Sequence, residues 1–260
     1  MKDCREEWYD KDAKVAVTIV DVTSAAQELA RGHLAGPTST HFLTEALATV
    51  ALLGAETSEK DETVILQMKC KGPLGGLNVE CTAEGTLRGY AEKKVLDDFD
   101  GLGKPDARKV IGEAQYQVTR SVPGRILSQG ISASIDGYLA GSLQRKACIR
   151  TEVAVSDEVE VLEARGILVE DMPDAKGELK CCHVTDPKSL SVASRNILKQ
   201  LGLENAELRK TTPLKFACRC SPDRAAQMLA ALSEEERKGL PPTIDITCHM
   251  CGRTFSVKTK

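Results

Sequence analysis

The sequence is poor in aromatic side chains and contains no long apolar run. Its 260 residues include four Phe, four Tyr and one Trp, about 3% of the chain. This scarcity argues against a protein that binds single-stranded nucleic acid by base stacking. It also means that the core must be built from Leu, Val, Ile and Ala. No stretch approaches the roughly 20 consecutive apolar residues of a membrane-spanning helix, so we expect no membrane partner.

The sequence also lacks an excess of either charge and a recognisable targeting segment. Lys and Arg total 35 against 38 Asp and Glu, a net charge of −3, which argues against general nucleic-acid binding. The first residues, MKDCREEWYDKDAK, are charged with mixed sign. No apolar run follows them, and they are too acidic for a transit peptide. We therefore predict a cytoplasmic protein in a reducing compartment, where ten cysteines are not expected to form disulfides.

Common enzymatic motifs are missing as well. The sequence contains no phosphate-binding Gly-x-x-x-x-Gly-Lys-Ser/Thr loop, no Gly-x-Ser-x-Gly elbow and no His-Glu-x-x-His helix. A Cys-x-x-Cys is present, so a thiol–disulfide oxidoreductase is an alternative. However, no βαβ pattern surrounds it, as a thioredoxin-like site requires. We predict that the chain is not an enzyme.

The chain divides into three parts by pattern. Residues 1–175 predict an α+β domain of antiparallel sheets and helices, whose first residues, 1–14, are expected to form a mobile charged lead-in. Residues 176–213 are polar and weakly periodic and predict a linker, with one helix at 191–203. Residues 214–260 predict a compact cysteine-bearing module. Within the first part, the patterns predict strands at 15–22, 63–70, 79–83, 86–90, 114–119 and 131–135 and helices at 24–33 and 42–53.

The C-terminal module carries two close cysteine pairs, Cys218-Arg-Cys220 and Cys248-His-Met-Cys251, separated by 27 residues. Each pair supplies two thiolates from one tight turn, as a tetrahedral site requires, and four sulfur ligands favour zinc. Ser221-Pro222-Asp223 predicts a helix start, and Ser233 with Glu236 a capping box. A module of this size buries little surface, so one Zn²⁺ per chain is expected to be coupled to its folding.

Three interpretations of these cysteines remain open at this level. They are four packing cysteines, a permanent structural zinc site, or a redox sensor whose oxidised sulfurs no longer hold the metal. The spacing alone is more typical of a permanent structural site than of a switch. Four nearby basic residues would keep the thiolates reactive, or would simply form a solvated face. They are Lys215, Arg219, Arg253 and Lys258.

Three segments of the chain resemble the 33-kilodalton heat-shock protein family of redox-regulated holdase chaperones. The first is the signature FACRCS at 216–221 with TCHMCGRTF at 247–255. The second is GPTSTHFLTEALATVALLGA at 36–55, similar to an early helical stretch of the family. The third is LQMKCKGPLGGLNVECTAEGTLRGY at 66–90, similar to its central hairpin.

This resemblance implies a stress-response mechanism. The four module cysteines would bind zinc when reduced and would form disulfides Cys218–Cys220 and Cys248–Cys251 on oxidation, releasing the metal. The linker, metastable and lying on the sheet, would then unfold. Unfolding client proteins would be bound without ATP, often by a homodimer. Neither nucleic acid nor a membrane is an expected partner.

The chain departs from the family pattern at two places. Ser142-Leu143-Gln144 stands where the family has Ser-Glu-Gln. Cys181-Cys182-His183 in the linker either has no special task or makes an auxiliary redox or metal contact. Six cysteines lie outside the module, and Cys70, Cys81 and Cys148 are expected to be small core residues. The six are Cys4, Cys70, Cys81, Cys148, Cys181 and Cys182.

A zinc ribbon that binds nucleic acid is the remaining alternative. Residues 214–260 contain eight Lys and Arg against five Asp and Glu, a local charge of +3. Proteins that bind phosphate backbones usually concentrate positive charge more strongly than this.

Overall fold

A computed structural model describes residues 3–173, 175 and 190–259 of the chain. Within these residues, strands and helices alternate along the sequence and confirm the predicted α+β class. The strands are β1 Cys4–Asp10, β2 Val15–Asp21, β3 Thr63–Cys70, β4 Gly76–Thr82, β5 Thr86–Ala91, β6 Ala114–Val122, β7 Arg125–Ser132, β8 Lys146–Val155, β9 Val161–Asp171, β10 Glu207–Pro213, β11 Lys215–Phe216, β12 Thr243–Thr247 and β13 Thr254–Lys258. The helices are α1 Thr23–His33, α2 Pro37–Leu53, α3 Ala107–Val110, α4 Ile135–Gly141, α5 Ser194–Gln200, α6 Pro222–Ala230 and α7 Glu234–Lys238.

Two large sheets form the body of the molecule. Sheet A has the order β10-β1-β2-β9-β8, and all its neighbouring strands are antiparallel. Sheet B has the order β11-β5-β4-β3-β6-β7 and is antiparallel except where the short β11 runs parallel to β5. The strands β12 and β13 form a separate hairpin. Among the described residues, no helix is long and apolar enough to cross a bilayer.

Helix α2 lies between the two sheets and contacts strands of both. Fifteen of its 17 residues are buried, as expected of a helix that is covered by sheets on both sides. The predicted helix at 42–53 is therefore confirmed, but it begins earlier because Pro37 occupies its first turn, where no N–H partner is needed. At its end, the Ala51 carbonyl accepts a hydrogen bond from Arg5 Nη1 at 3.1 Å.

The prediction of a mobile lead-in at residues 1–14 is wrong. Strand β1 lies between β10 and β2 in sheet A. Its charges are accommodated because Arg5, which is fully buried, donates to Glu7 Oε1 at 3.2 Å and to the end of α2. Trp8 is buried on the sheet and Arg195 stacks over its ring at 4.5 Å. The charged composition of this segment predicts a solvent-exposed chain, but its charges are paired and it forms a strand within the sheet.

Most of the remaining predictions for residues 15–155 hold with shifted boundaries. Strand β2, helix α1 and the meander β3-β4-β5 are confirmed. The predicted strand at 131–135 is misplaced, because β6 and β7 form a hairpin and α4 already begins at Ile135. This hairpin turns at Gly124, whose φ of +78° suits glycine.

The second half of the predicted linker packs on sheet A. Helix α5 falls inside the helix predicted at 191–203, whereas β10, which pairs with β1, was not predicted. Six of the seven β10 side chains are exposed, so the strand shows no apolar alternation in the sequence. Residues 174 and 176–189, including Cys181, Cys182 and His183, lie outside the described residues.

Candidate metal centre

The C-terminal module folds locally as its sequence predicts. Ser221 caps α6 by accepting a hydrogen bond from the Arg224 amide at 3.2 Å. A capping box formed by Ser233 and Glu236 begins α7. The apolar core of the module is small, with only Ala225, Leu229 and Val257 buried within its cluster. Little apolar area therefore stabilises this part of the chain.

Two turns bring the four predicted cysteines together. Cys218 and Cys220 follow strand β11, and Cys248 and Cys251 lie in the turn between β12 and β13. In that turn the Gly252 amide donates to the Cys248 carbonyl at 2.8 Å, with Gly252 at φ +71°. The four sulfur atoms all lie within 4.8 Å of one another.

The sulfur geometry suits a tetrahedral metal ion. Cys218 Sγ lies 3.7 Å from Cys248 Sγ, and Cys220 Sγ lies 3.3 Å from Cys251 Sγ. Four sulfurs each about 2.3 Å from a central zinc ion would be separated by about 3.8 Å. The observed separations are close to this value and far longer than the roughly 2.05 Å of a disulfide bond, and all four thiols are free. An all-sulfur donor set is typical of zinc.

The thiols of Cys218, Cys220 and Cys248 differ in acidity because their surroundings differ. Burial opposes ionisation of Cys218, but hydrogen bonds from the Cys220 amide and Arg88 outweigh it and lower the pKa of Cys218 to about 7. Burial, together with the neighbouring thiols, raises the pKa of Cys220 and of Cys248 above the ordinary value. Of these three thiols, Cys218 is therefore the one whose ionised form is stabilised by its neighbours.

The turn between β12 and β13 that carries Cys248 and Cys251, called the metal turn below, packs directly on the end of helix α1 and on strand β5. A Cβ atom on Gly32 would lie 2.5 Å from the Cys251 carbonyl oxygen, and one on Gly252 would lie 1.9 Å from the Gly32 oxygen. His33 is buried beside this contact, with Nε2 2.7 Å from the Gly89 carbonyl oxygen. The Gly89 amide donates to the Met250 carbonyl at 3.2 Å. Glycine at 32 and 252 is thus required for the close approach of module and core.

The basic residues around the sulfurs are only partly those that the sequence suggests. Arg253 donates to the Cys218 carbonyl at 3.4 Å, and its hydrogen bond to Cys251 raises its pKa. Arg219 instead contacts Glu80 at 3.4 Å. The residue that sequence reasoning missed is Arg88, whose Nη1 lies 3.7 Å from Cys218 Sγ. It lies 130 positions earlier in the chain, on β5, and no local spacing points to it.

Among the described cysteines outside the module, Cys70, Cys81 and Cys148 are packing residues. Cys81 is fully buried, and burial raises the pKa of its thiol to about 11. Cys70 is partly buried against the core around α2. Cys148 is buried as predicted, and it is also disulfide-bonded, which was not predicted. At the departure from the family triplet, Leu143 packs against the core and Gln144 has φ of +54°.

Comparisons with known proteins agree with this architecture. The family model described as Hsp33 protein matches residues 7–258. A 33 kDa chaperonin of Thermus thermophilus is 31% identical, with 92% of this chain and 79% of that protein covered. A 33 kDa chaperonin of Oceanobacillus iheyensis is 26% identical, with 98% and 96% covered.

A solved structure supports the fold independently. The crystal structure of the 33 kDa chaperonin, a heat shock protein 33 homologue, from Thermotoga maritima matches with a TM-score of 0.86. The match covers 100% of this chain and 96% of that one, at 20% sequence identity. At this identity, the likeness establishes the fold.

Proposed function

This chain belongs to the Hsp33 family, and we propose that it is a redox-regulated, ATP-independent holdase chaperone of the cytoplasm. In the reduced resting state, Cys218, Cys220, Cys248 and Cys251 hold one Zn²⁺. Oxidation to the disulfides Cys218–Cys220 and Cys248–Cys251 releases the metal. The linker at 176–213 then unfolds, and the chain binds unfolding proteins, as a homodimer when active.

The observation that carries this proposal is the cluster of four free thiols where the module meets the core. Bound zinc would lower the thiol pKa values and keep all four sulfurs as thiolates. Formation of each disulfide removes two electrons from two thiolates. One molecule of hydrogen peroxide accepts them and gives two hydroxide ions. A disulfide sulfur carries no negative charge and no longer holds the ion. Two molecules of peroxide per chain therefore complete the conversion.

A short stretch of chain connects the last strand of the linker, β10 of sheet A, with the metal centre through β11 of sheet B. Strand β10 ends at Pro213, and after Leu214 the chain enters β11, which leads to Cys218. Leu214 is buried, and its amide donates to the Asp3 carbonyl at 3.0 Å. The Ala217 amide donates to the Leu87 carbonyl at 3.1 Å. Loss of the module fold would remove the support at one end of this stretch, and the effect would reach β10 directly.

The linker covers an apolar face of sheet A that would be uncovered if it unfolded. Leu190, Leu201, Leu203 and both Ile197 and Leu198 of α5 are buried in one cluster with side chains of β2 and β9. The sheet residues in this cluster include Val17, Ile19, Ile167 and Val169. Exposed apolar surfaces of this kind bind partly unfolded proteins with low specificity.

The zinc-ribbon alternative fits the structure less well. Of the eight Lys and Arg in the module, Arg219 pairs with Glu80 and Arg224 donates to the Arg219 carbonyl. The metal turn packs on α1 and β5. The charge of the module is thus dispersed and partly neutralised, whereas a phosphate backbone requires a concentrated positive surface.

The direct test is light scattering from a thermally unfolding protein, with this chain added either reduced and zinc-loaded or treated with peroxide. We expect suppression of aggregation only after oxidation, together with release of one zinc per chain measured by a chelating dye. Equal suppression in both states would remove the switch from the proposal. Steady reduction of insulin disulfides would instead support an oxidoreductase, and binding of DNA or RNA by the reduced form would support the zinc ribbon.

A further inference from the structure

Arg88 links the sheet of the core to a sulfur of the candidate metal centre. It lies on β5, and its Nη2 donates to both carboxylate oxygens of Glu80 at 2.9 Å. Its Nη1 lies 3.7 Å from Cys218 Sγ, within hydrogen-bond distance of sulfur. The side chains of Arg88 and Glu80 are only 17% and 12% exposed. The contact is therefore largely shielded from solvent, where charge-assisted hydrogen bonds are strongest.

The register of sheet B fixes the orientation of this side chain. Glu80 on β4 is the cross-strand partner of Arg88 on β5. Because the guanidinium group is planar and rigid, fixing Nη2 on the carboxylate determines the direction in which Nη1 points. The sulfur of Cys218 lies in that direction. The core thus presents a preoriented donor to the module.

We propose that Arg88 is a positioning residue of the metal centre that holds the Cys218 sulfur against sheet B and so couples retention of the metal to docking of the module. This inference rests on the proposed function and names the residue through which metal and core communicate. Four thiolates around a divalent ion carry a net charge of −2. Arg88 offsets part of that charge, and without it only the more exposed Arg219 would pair with the partly buried Glu80 carboxylate beside the sulfurs.

The coupling works in both directions. If Arg88 strengthens metal binding in the docked module, bound metal must strengthen docking by the same factor. Outer residues that hydrogen-bond metal ligands usually contribute about 10- to 100-fold to metal affinity. An intact, loaded centre would then hold β11 on β5. An emptied centre would release it.

The test compares full-length variants under reducing conditions, without oxidant. We expect Arg88→Gln to lower zinc affinity about 10- to 100-fold in competition with a chelating dye. In cobalt-loaded protein, the sulfur-to-metal charge-transfer band should shift because one sulfur loses its hydrogen bond. The zinc affinity and the cobalt band of Arg88→Lys should lie between those of wild type and Arg88→Gln. An ammonium group keeps the charge, but it cannot bind carboxylate and sulfur as one fork.

Arg145→Gln is the matched control. Arg145 is also a partly buried arginine, 34% exposed, but it pairs with Glu56 and Glu170 rather than with sulfur. Its removal should lower the melting temperature without changing zinc affinity or the cobalt spectrum. If Arg88→Gln fails to fold, Glu80→Gln, which frees Arg88 from its anchor, should still shift the cobalt band and weaken zinc binding.

The outcomes separate the two proposals. Unchanged zinc affinity and an unchanged cobalt band in folded Arg88→Gln, or in Glu80→Gln where Arg88→Gln does not fold, would overturn the positioning role. The chaperone proposal would stand if wild-type protein still bound zinc and became active on oxidation. A wild-type chain that bound no metal would overturn both.

Discussion

The core around α2 and the C-terminal module are stabilised by different means. In the core, a helix with fifteen of its 17 residues buried lies between two sheets. In the module, the apolar cluster contains three buried residues, and four sulfurs lie within 4.8 Å of one another. The core is therefore stabilised by apolar area, whereas the module, under the proposed function, would depend on a bound metal ion that can be removed. Such a difference would let the module respond to oxidation while the core stays folded.

Of the changes predicted here, removal of the metal should have the largest effect, and it should affect the module and not the core. Under reducing conditions, a chelator strong enough to remove zinc should abolish amide-exchange protection in β12 and β13, while β2 and β3 stay protected. The reason is that structural zinc contributes roughly 10–16 kcal/mol of apparent folding free energy in small modules. Hydrogen–deuterium exchange read by mass spectrometry measures both regions in one sample.

A reductant must be present throughout, so that no disulfide replaces the metal as a constraint. Zinc added back should restore protection, and magnesium should not, because thiolates do not select it. If the hairpin kept its protection after complete metal removal, the module would fold by its own packing and the contrast with the core would be lost.

A substitution in the core should destabilise the core and leave metal binding by the module unchanged. Glu62 is fully buried and accepts hydrogen bonds from Arg120 Nε at 2.6 Å and from the Ser58 amide at 2.8 Å. Burial raises the pKa of Glu62, but these hydrogen bonds outweigh it, so the pKa lies below the ordinary value. Glu62→Gln should cost about 3–5 kcal/mol of unfolding free energy at neutral pH, because Arg120 loses its negatively charged partner and keeps only its hydrogen bond to the Glu56 carbonyl. Zinc affinity should not change.

The effect of this substitution should depend on pH in a defined direction. Because the folded-state pKa is lowered, the ionised carboxylate stabilises the fold fully above its unfolded pKa of about 4.3. That contribution is lost as the pH falls through the folded value. The difference between wild type and Glu62→Gln, measured by urea titration, should therefore be constant from about pH 7 to about pH 5 and shrink below about pH 4. A constant difference at all pH values would contradict this account.

The sequence predicted best where structure depends on local pattern. The helix caps at Ser221 and Ser233 and the cysteine turns follow directly from residue spacing, and all four sulfurs converge as predicted. Each of these features is determined by a few consecutive residues. The resemblance to the family rested on longer segments in the same order along the chain, and the family match is confirmed over nearly the whole chain.

Sequence reasoning failed where pairing partners lie far apart. Strand β1 was missed because its Arg5 is accommodated in the interior by a hydrogen bond to the end of α2, 46 residues away. Strand β10 was missed because its partner is β1 and its side chains are exposed. The Arg88 contact joins β5 to the module across 130 positions. Long-range pairing of this kind leaves no periodic signal in either segment alone.

A substitution in the linker, which connects the core and the module, should give the smallest of the three effects. Leu198 of α5 is fully buried in the cluster that joins the linker to β2 and β9. Leu198→Ala should cost about 2–5 kcal/mol, and only locally, because a cavity forms under α5 rather than around α2. We expect faster proteolytic cleavage within 190–213, full zinc retention and partial suppression of aggregation without oxidant. Lys199→Ala, an exposed neighbour on the same helix, is the control and should match wild type. If Leu198→Ala opened the linker but gave no activity in the reduced state, linker unfolding would not be sufficient for client binding, and the metal centre would have to act by another route.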